Sequence, residues 1–187
     1  MKNFLKIFIA AGLVLFFNAN GFANVDFAIW GGYIFAGNIK SSNENEDFTG
    51  TQCGFKGHYY IDLSQSVHFG FGPFCQNAMI ISNDAYGVRL KRNSIGVDVN
   101  FIFSIPSKPA FSPYVRANYS FYDKFIYGGI AGTISGYGFG IGGGAEFAVS
   151  QTIKIFFEFM YDTSKWEKPA VANDVIGTAF NMGFRFI

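Results

Sequence analysis

The chain has 187 residues; half are hydrophobic, a fifth are aromatic and 14% are charged. This composition is too apolar for a disordered chain, and 25 Phe are many for a soluble domain. The formal net charge is +1 and the longest basic cluster is Lys91-Arg92, so nucleic acid is not an expected partner.

The N-terminus predicts a cleavable signal peptide over residues 1–23. Lys2 and Lys6 begin it, residues 7–17 are apolar, and Gly21 and Ala23 are the small residues expected before a cleavage site. The apolar run is shorter than the ~20 residues of a membrane-spanning helix, and no later run reaches that length. An exported chain this apolar is therefore expected in the outer membrane, with residues 24–187 as one domain.

Period-two alternation of residue types then predicts eight strands in chain order. The strands cover residues 25–35, 51–61, 67–76, 95–105, 111–121, 137–149, 153–162 and 178–186. The connections fall at residues 38–47, 63–65, 77–92, 106–109, 123–136, 150–152 and 163–173. Long and short connections alternate, which is typical of an up-and-down barrel with both termini and the short turns on the periplasmic side.

The alternation has the polarity of a membrane barrel. From Tyr137 to Val149, large apolar residues take one face, and glycines with Glu146 take the other. The next strand alternates Ile, Phe and Tyr with residues that include Lys154 and Glu158. A lipocalin-type barrel needs its apolar residues inside, whereas a membrane barrel turns them toward lipid. The sequence therefore predicts an all-β, eight-stranded, antiparallel, up-and-down transmembrane β-barrel.

Four stretches carry a resemblance to the small eight-stranded outer-membrane barrels of the OmpA, OmpX and opacity-protein superfamily. They are residues 138–147, 153–159, 112–117 and the ending 181–186. The resemblance covers the mature chain by pattern rather than by fixed motif, so it implies a fold and a location more than an activity.

The sequence departs from that superfamily in two ways. Ile187 follows the terminal aromatic residue Phe186, which shifts by one position the signal that the barrel-assembly machinery reads. The chain also stops at the eighth strand, so the resemblance does not imply a peptidoglycan tether.

The inward face predicts a network of charged side chains. The expected hairpin register places Glu146 diagonal to Lys154, and it places Asp98 diagonal to Arg116 one hairpin earlier. Eight strands leave room only for side chains to fill the lumen, and charges there have to pair. The predicted network contains Lys56, Asp98, Arg116, Glu146, Lys154, Glu158 and Arg185, joined by Asp162. Two interpretations stay open: salt bridges that fix the interior, or a gated, narrow ion path.

His58 and His68 are also predicted to face inward, one strand apart. Two His suggest a metal site or a catalytic base, but a metal site usually needs three or four ligands. Outer-membrane lipid-modifying enzymes have barrels of this size with catalytic groups toward the external leaflet, whereas His68 lies beside a periplasmic turn. The sequence therefore predicts no catalytic, cofactor-binding or metal-binding residue, and no cofactor.

The two cysteines are predicted to meet across neighbouring strands. With Ile61 opposite Val67, Cys53 falls directly opposite Cys75 on the outward face. The periplasm is oxidising, so this register predicts a disulfide. The alternative is a pair of free, lipid-facing thiols, which a register slip or a bulge would produce.

The resemblance implies a structural or surface-interaction, adhesin-like role through the external loops, without catalysis. It implies three partners: outer-membrane lipids, the barrel-assembly machinery during biogenesis, and a host or matrix ligand at the loops. A monomer is expected. A narrow porin-like channel is the first alternative, and an outer-membrane lipid-modifying enzyme is the second.

Overall fold

A computed structural model describes residues 25–40, 45–82, 89–127, 133–166 and 174–187. The predicted signal peptide, residues 1–23, and the centres of the four long connections lie outside the described residues. Eight strands take up most of the described chain. They are β1 (Val25–Lys40), β2 (Asn45–Ser64), β3 (Val67–Ser82), β4 (Arg89–Phe103), β5 (Phe111–Tyr127), β6 (Thr133–Ala148), β7 (Ile153–Trp166) and β8 (Asp174–Phe186).

These strands form one closed antiparallel barrel. Each strand pairs with its neighbours in the chain, and β8 pairs with β1 to close the ring. Closure removes the unpaired edges that such apolar strands would otherwise expose. The predicted all-β, eight-stranded, up-and-down barrel is confirmed.

The described residues contain no helix that is both long enough and apolar enough to cross a membrane.

The strands are longer than predicted, and the large extensions all lie at the end with the long connections. β2 begins at Asn45 rather than at residue 51, and β3 runs to Ser82 rather than to residue 76. The predicted connections were too long because backbone pairing continues through polar residues, where apolar alternation fades. Lys40, for example, still pairs with Asn45 on β2 and with Asp174 on β8.

An apolar outer wall surrounds the half of the barrel that holds the short turns. Its exposed side chains include Ile29, Phe55, Phe71, Phe101, Val115, Phe139, Phe159 and Phe184. Aromatic rings pack across neighbouring strands, as between Phe69 and Phe101, whose ring centroids are 5.0 Å apart. A wall of this kind, in water, would be unstable, but it matches the lipid-facing band of a membrane barrel.

The polarity reverses at the end with the long connections, here called the loop end. Inside it lies an apolar cluster formed by Ile34, Ile39, Phe48, Ala78, Ile80, Leu90, Phe125, Val175 and Ala179. The outward positions around it are mostly polar and include Asn38, Asp47, Thr49, Thr51, Asn77, Lys91, Asn93, Lys124 and Lys165. Apolar inside and polar outside is the pattern of a barrel in water. The strands therefore continue beyond the lipid on this side.

The β2–β3 hairpin differs from its predicted register by two residues. The prediction ended the pairing with Ile61 opposite Val67. Pairing instead continues until Ser64 lies opposite Val67, across the two-residue turn Gln65-Ser66, with a register shift between Asp62 and Ser64. The turn was predicted at residues 63–65. It lies later in the chain, at Gln65-Ser66, because Leu63 and Ser64 belong to β2.

This register corrects the disulfide prediction. Cys53 lies opposite Asn77, Cys75 lies opposite Phe55, and both cysteines are free and exposed. Direct opposition of the two cysteines was wrong, because a shift of two residues converts an opposed pair into a diagonal one.

Candidate functional site: the filled lumen

Glu158 on β7 is the centre of the charged interior. Its side chain is fully buried, and its carboxylate lies 3.3 Å from Lys56 Nζ and 2.5 Å from Arg116 Nη1. Tyr114 Oη donates to it over 2.9 Å and Asn181 Nδ2 over 3.1 Å. Each carboxylate oxygen therefore has two partners, which offsets the loss of hydration on burial.

Asp98 on β4 connects this centre to His58 on β2. Arg116 Nε donates to Asp98, so one guanidinium bridges Asp98 and Glu158. On the other side of Asp98, His58 Nε2 lies 2.7 Å from Asp98 Oδ1, while His58 Nδ1 lies 3.3 Å from Asp26 Oδ1. An imidazole can donate to both carboxylates only when both ring nitrogens carry protons.

Arg185 on β8 continues the chain of contacts toward the periplasmic mouth. Its Nε lies 3.2 Å from Asp26 Oδ2, and its Nη1 lies 2.5 Å from Glu146 Oε1. Glu146 Oε2 is in turn 3.3 Å from Lys154 Nζ. Lys154 pairs with Ala148, so it lies diagonal to Glu146, as the predicted register requires.

The seven predicted network residues thus lie in one continuous series of contacts. Asp26 and His58 complete the series, although neither was included in the predicted ion network. Asp26 could have been found, because it begins the inward row of β1, which alternates with the outward row that begins at Val25. Asp162, which was expected to join the series, is buried beside Arg92 instead.

A second ionic cluster lies nearer the loop end and was missed. Arg92 Nη2 donates to Asp123 Oδ2 over 2.8 Å and to Ser164 Oγ over 2.6 Å. Ser94 Oγ donates to Asp123 over 3.0 Å. The residues were missed because they stood at or within the predicted connections. A signal was present: Arg92 and Ser94 continue the inward row of β4 that holds Asp98.

The buried charges of the described lumen come close to balance. Six acidic side chains are buried: Asp26, Asp98, Asp123, Asp162, Glu146 and Glu158. The buried Lys and Arg side chains are Lys56, Arg92, Arg116 and Arg185. Lys154 at the mouth, 3.3 Å from Glu146, is a fifth cation. Balance of this kind is what a low-dielectric interior requires, because an unpaired buried charge is costly.

A cavity of about 240 Å³ opens at the periplasmic mouth and is lined in part by Lys154 and Arg185. There His68 Nδ1 lies 2.5 Å from Asp62 Oδ1, and His68 Nε2 lies 2.9 Å from Ser104 Oγ. The order of these groups is that of a hydrolase triad. The site is wet, however, since the Asp62 side chain is 66% exposed.

Two further features of the mouth bear on catalysis. The backbone N–H of Ser104 donates to the carbonyl oxygen of Ser66 over 2.9 Å, so it is not free to stabilise an oxyanion at its own side chain. His58 is separate from this row and belongs to the ion network. Within the described ranges, no group of three or more His, Cys, Asp or Glu side chains is arranged to hold a metal ion.

The hairpin glycines of β6 provide space rather than a ligand loop. A Cβ at Gly142 would lie 2.5 Å from Met160 Sδ, and a Cβ at Gly144 would overlap the Phe157 carbonyl oxygen. Phe156, by contrast, lies against Gly183 of β8. Glycine at these positions allows close approach of neighbouring strands and large side chains.

The fold and its interior together define a class of protein. A closed ring of eight antiparallel strands, apolar toward lipid and filled by paired charges, is a small transmembrane β-barrel. The sequence matches the outer membrane protein beta-barrel domain over residues 9–186, and the chain belongs to that family. The predicted location in the bacterial outer membrane is confirmed.

Solved structures of other outer-membrane proteins share the fold. Neisserial surface protein A (NspA) is 19% identical, with a TM-score of 0.62 over 86% of this chain and 96% of that chain. The outer membrane protease OmpT from Escherichia coli is 9% identical, with a TM-score of 0.50 over 87% of this chain and 96% of that one. Ail, the attachment invasion locus protein of Yersinia pestis, solved in complex with the heparin analogue sucrose octasulfate, is 15% identical. Its TM-score is 0.46, over 87% of this chain and 99% of that one.

These similarities establish the fold alone. No curated protein matches the sequence.

Proposed function

We propose that the protein is a closed, non-catalytic barrel that presents its external loops at the cell surface and binds a host or matrix ligand through them. The observation that carries the proposal is the continuous filling of the lumen. Because the centre of the lumen is occupied by paired charges and its loop side by an apolar cluster, no path leads through the barrel, and the loop end is the part that a partner outside the cell can reach. The barrel itself is a monomer held by outer-membrane lipids, after delivery by the barrel-assembly machinery.

The filling argues against the pore alternative. Side chains in the centre of the lumen, such as Lys56, Asp98 and Glu158, are fully buried, so bulk water does not reach them. On the loop side, Phe48, Leu90 and their neighbours add an apolar layer that an ion would have to cross without hydration.

Planar-bilayer conductance tests this argument. We expect no channel events from the purified protein, beyond the baseline of protein-free bilayers treated with the same detergent. Reproducible single-channel steps that disappear in a heat-unfolded control would contradict the closed-lumen proposal.

Among the described residues, the row Asp62–His68–Ser104 comes closest to a catalytic arrangement, but its surroundings favour a structural role. Its Asp is exposed to water, and the Ser104 backbone N–H is already bonded. A fluorophosphonate probe reacts with serines that a His has activated. We expect no labelling of the protein in this assay. Labelling that is lost in Ser104→Ala and kept in Ser66→Ala would instead support the enzyme alternative.

The surface-interaction role is tested with loop-replacement variants on intact cells. Residues 41–44, 83–88, 128–132 and 167–173 are replaced one at a time by Gly-Ser segments of equal length. Cells carrying each variant are then assayed on arrays of glycans and matrix proteins. We expect binding by the unaltered protein and its loss in at least one variant that still shows heat-modifiable migration. Equal binding by cells that lack the protein would refute the role.

A further inference from the structure

The cavity at the periplasmic mouth, here called the mouth cavity, has a volume of about 240 Å³. Pockets for drug-sized ligands measure about 300–1,000 Å³, so the mouth cavity suits a smaller molecule. Its polar lining contains side chains whose hydrogen-bonding capacity is only partly used. These side chains lie on two sides of the opening, and the two sides differ in charge.

The basic side is formed by Lys154 on β7 and Arg185 on β8. Lys154 Nζ lies 3.3 Å from Glu146, its one ion pair within the described part of the chain, and an ammonium group has three donors. Arg185 is 1% exposed, and its Nε and Nη1 contact Asp26 and Glu146. Its Nη2 is buried without a hydrogen-bond partner among the described residues. Buried donors are nearly always paired, so this side of the cavity lacks an acceptor.

The acidic side is formed by Asp62 near the end of β2. Its Oδ1 lies 2.5 Å from His68 Nδ1, and Ser104 Oγ holds the other ring nitrogen of His68 over 2.9 Å. The Asp62 side chain is 66% exposed. An ionised carboxylate has about four acceptor positions, so Asp62 keeps room for a donor from a ligand.

The two sides are too far apart for the charges of a single amino acid. In the ring, β1 and β8 separate β2 from β7. Three strand spacings of about 4.8 Å amount to about 14 Å along the wall, and the inward side chains shorten the gap across the opening. An extended peptide covers about 3.5 Å per residue, so two or three residues span about 7–10 Å. The separation therefore matches the opposite charges at the two ends of a short peptide.

The remaining lining is apolar and includes Val25, Ile102 and Ile187. Ile102 is 4% exposed, whereas Ile187 is 50% exposed. Small-molecule sites typically combine an apolar lining with a few placed polar groups that fix orientation. This lining suits small apolar side chains between the two charged ends of a ligand.

We propose that the mouth cavity binds a short peptide of two or three small residues as a zwitterion. The carboxylate of the peptide accepts from Lys154 and Arg185, and its ammonium group donates to Asp62. The inference goes beyond the proposed function, because it concerns the periplasmic end of the barrel rather than the external loops.

The test titrates L-alanyl-L-alanine into the full chain, refolded in a neutral detergent with isoleucine methyl groups labelled for NMR. We expect saturable shifts of the Ile102 and Ile187 signals, and an unchanged signal of Ile80, which lies in the apolar cluster at the loop end. N-acetylation or C-terminal amidation of the peptide removes one charge. Each should weaken binding by about threefold to fivefold, the range for partly exposed ion pairs.

Two variants assign the two ends of the peptide. Lys154→Met should weaken binding of the free dipeptide by about threefold to fivefold and leave the amidated form unchanged. Asp62→Asn should do the same for the free dipeptide and leave the N-acetylated form unchanged. A general disturbance of the mouth would weaken all forms alike. Lys108→Met, at an exposed turn of the same end, is the matched control and should bind as wild type does.

Heat-modifiable migration verifies folding of each variant, and Asp62→Asn, at an exposed position, serves alone if Lys154→Met fails to fold. Three outcomes would overturn the proposal. One is the absence of saturable shifts at the mouth. Another is equal affinity for the free and the two capped dipeptides. The last is displacement of the dipeptide by acetate at an equal concentration, which would show that the cavity binds a simple anion and not a peptide.

Discussion

The Lys56–Glu158 pair offers the sharpest test of the filled lumen. Both side chains are 0% exposed and 3.3 Å apart. Glu158→Gln keeps the shape of the side chain but removes one negative charge, which leaves Lys56 and Arg116 facing a neutral amide. Removing one partner of a buried ion pair typically costs about 3–5 kcal/mol, because the remaining charge is uncompensated. Lys56→Met should have a cost of similar size, since it leaves Glu158 with one cation fewer.

The double variant distinguishes this reasoning from simple loss of packing. Lys56→Met with Glu158→Gln removes one charge of each sign, so the lumen returns to its original balance. We expect the double variant to be less destabilised than the sum of the single variants, by at least about 2 kcal/mol, as for directly interacting residues.

The free energy of unfolding is measured by urea titration in detergent micelles, with heat-modifiable migration as the second readout. Lys108→Met, at an exposed position in the turn between β4 and β5, is the control and should change stability by less than about 0.5 kcal/mol. Additive single effects, or a cost below about 1 kcal/mol for Glu158→Gln, would show that the lumen charges are not coupled as described.

Three other predictions follow from the backbone register and the packing. Gly144→Ala should destabilise the barrel by about 1–3 kcal/mol in urea titration, because the added Cβ would overlap the Phe157 carbonyl oxygen. Gly31→Ala is the control and should be tolerated, since the nearest atom to its Cβ would be 3.8 Å away. Equal stability of the two variants would contradict this packing. Non-reducing mass spectrometry should find Cys53 and Cys75 as thiols. Asn77→Cys in a Cys75→Ser background should crosslink to Cys53 on oxidation, because residue 77 lies directly opposite Cys53. A native disulfide between Cys53 and Cys75 would instead support the register in which they are opposed. Phe48→Ala should lower the free energy of unfolding by about 3–5 kcal/mol in the same titration, because Phe48 fills part of the apolar cluster at the loop end. A loss below about 1 kcal/mol would mean that the cluster is loosely packed.

The fold was predictable because its main signal is local. Alternation along the chain shows directly which residues of a strand share an apolar face. Whether that face points outward, toward lipid, or inward separates a membrane barrel from a soluble one. The register of the β6–β7 hairpin was also predictable, because the short turn at Ser150-Gln151-Thr152 leaves little choice of pairing. Lys154 and Glu146 therefore meet as the residues alone suggested.

Features that depend on several strands at once were not available from the sequence. Two residues of extra pairing at the end of β2 were enough to separate Cys53 from Cys75, and residue types do not show where a polar turn begins. The Arg92–Asp123 cluster was missed because alternation of apolar residues fades at the loop end, although backbone pairing continues there.

The sequence by itself therefore determined the class of fold, the membrane that holds it and the face on which its charges lie, because each of these follows from residue types at a spacing of two. Only the tertiary structure decided which charges pair. Glu158 contacts Lys56 across more than one strand, and such partners are set by closure of the ring rather than by neighbours in the chain. The same closure decided that the lumen is filled, because inward side chains from all eight strands occupy it together.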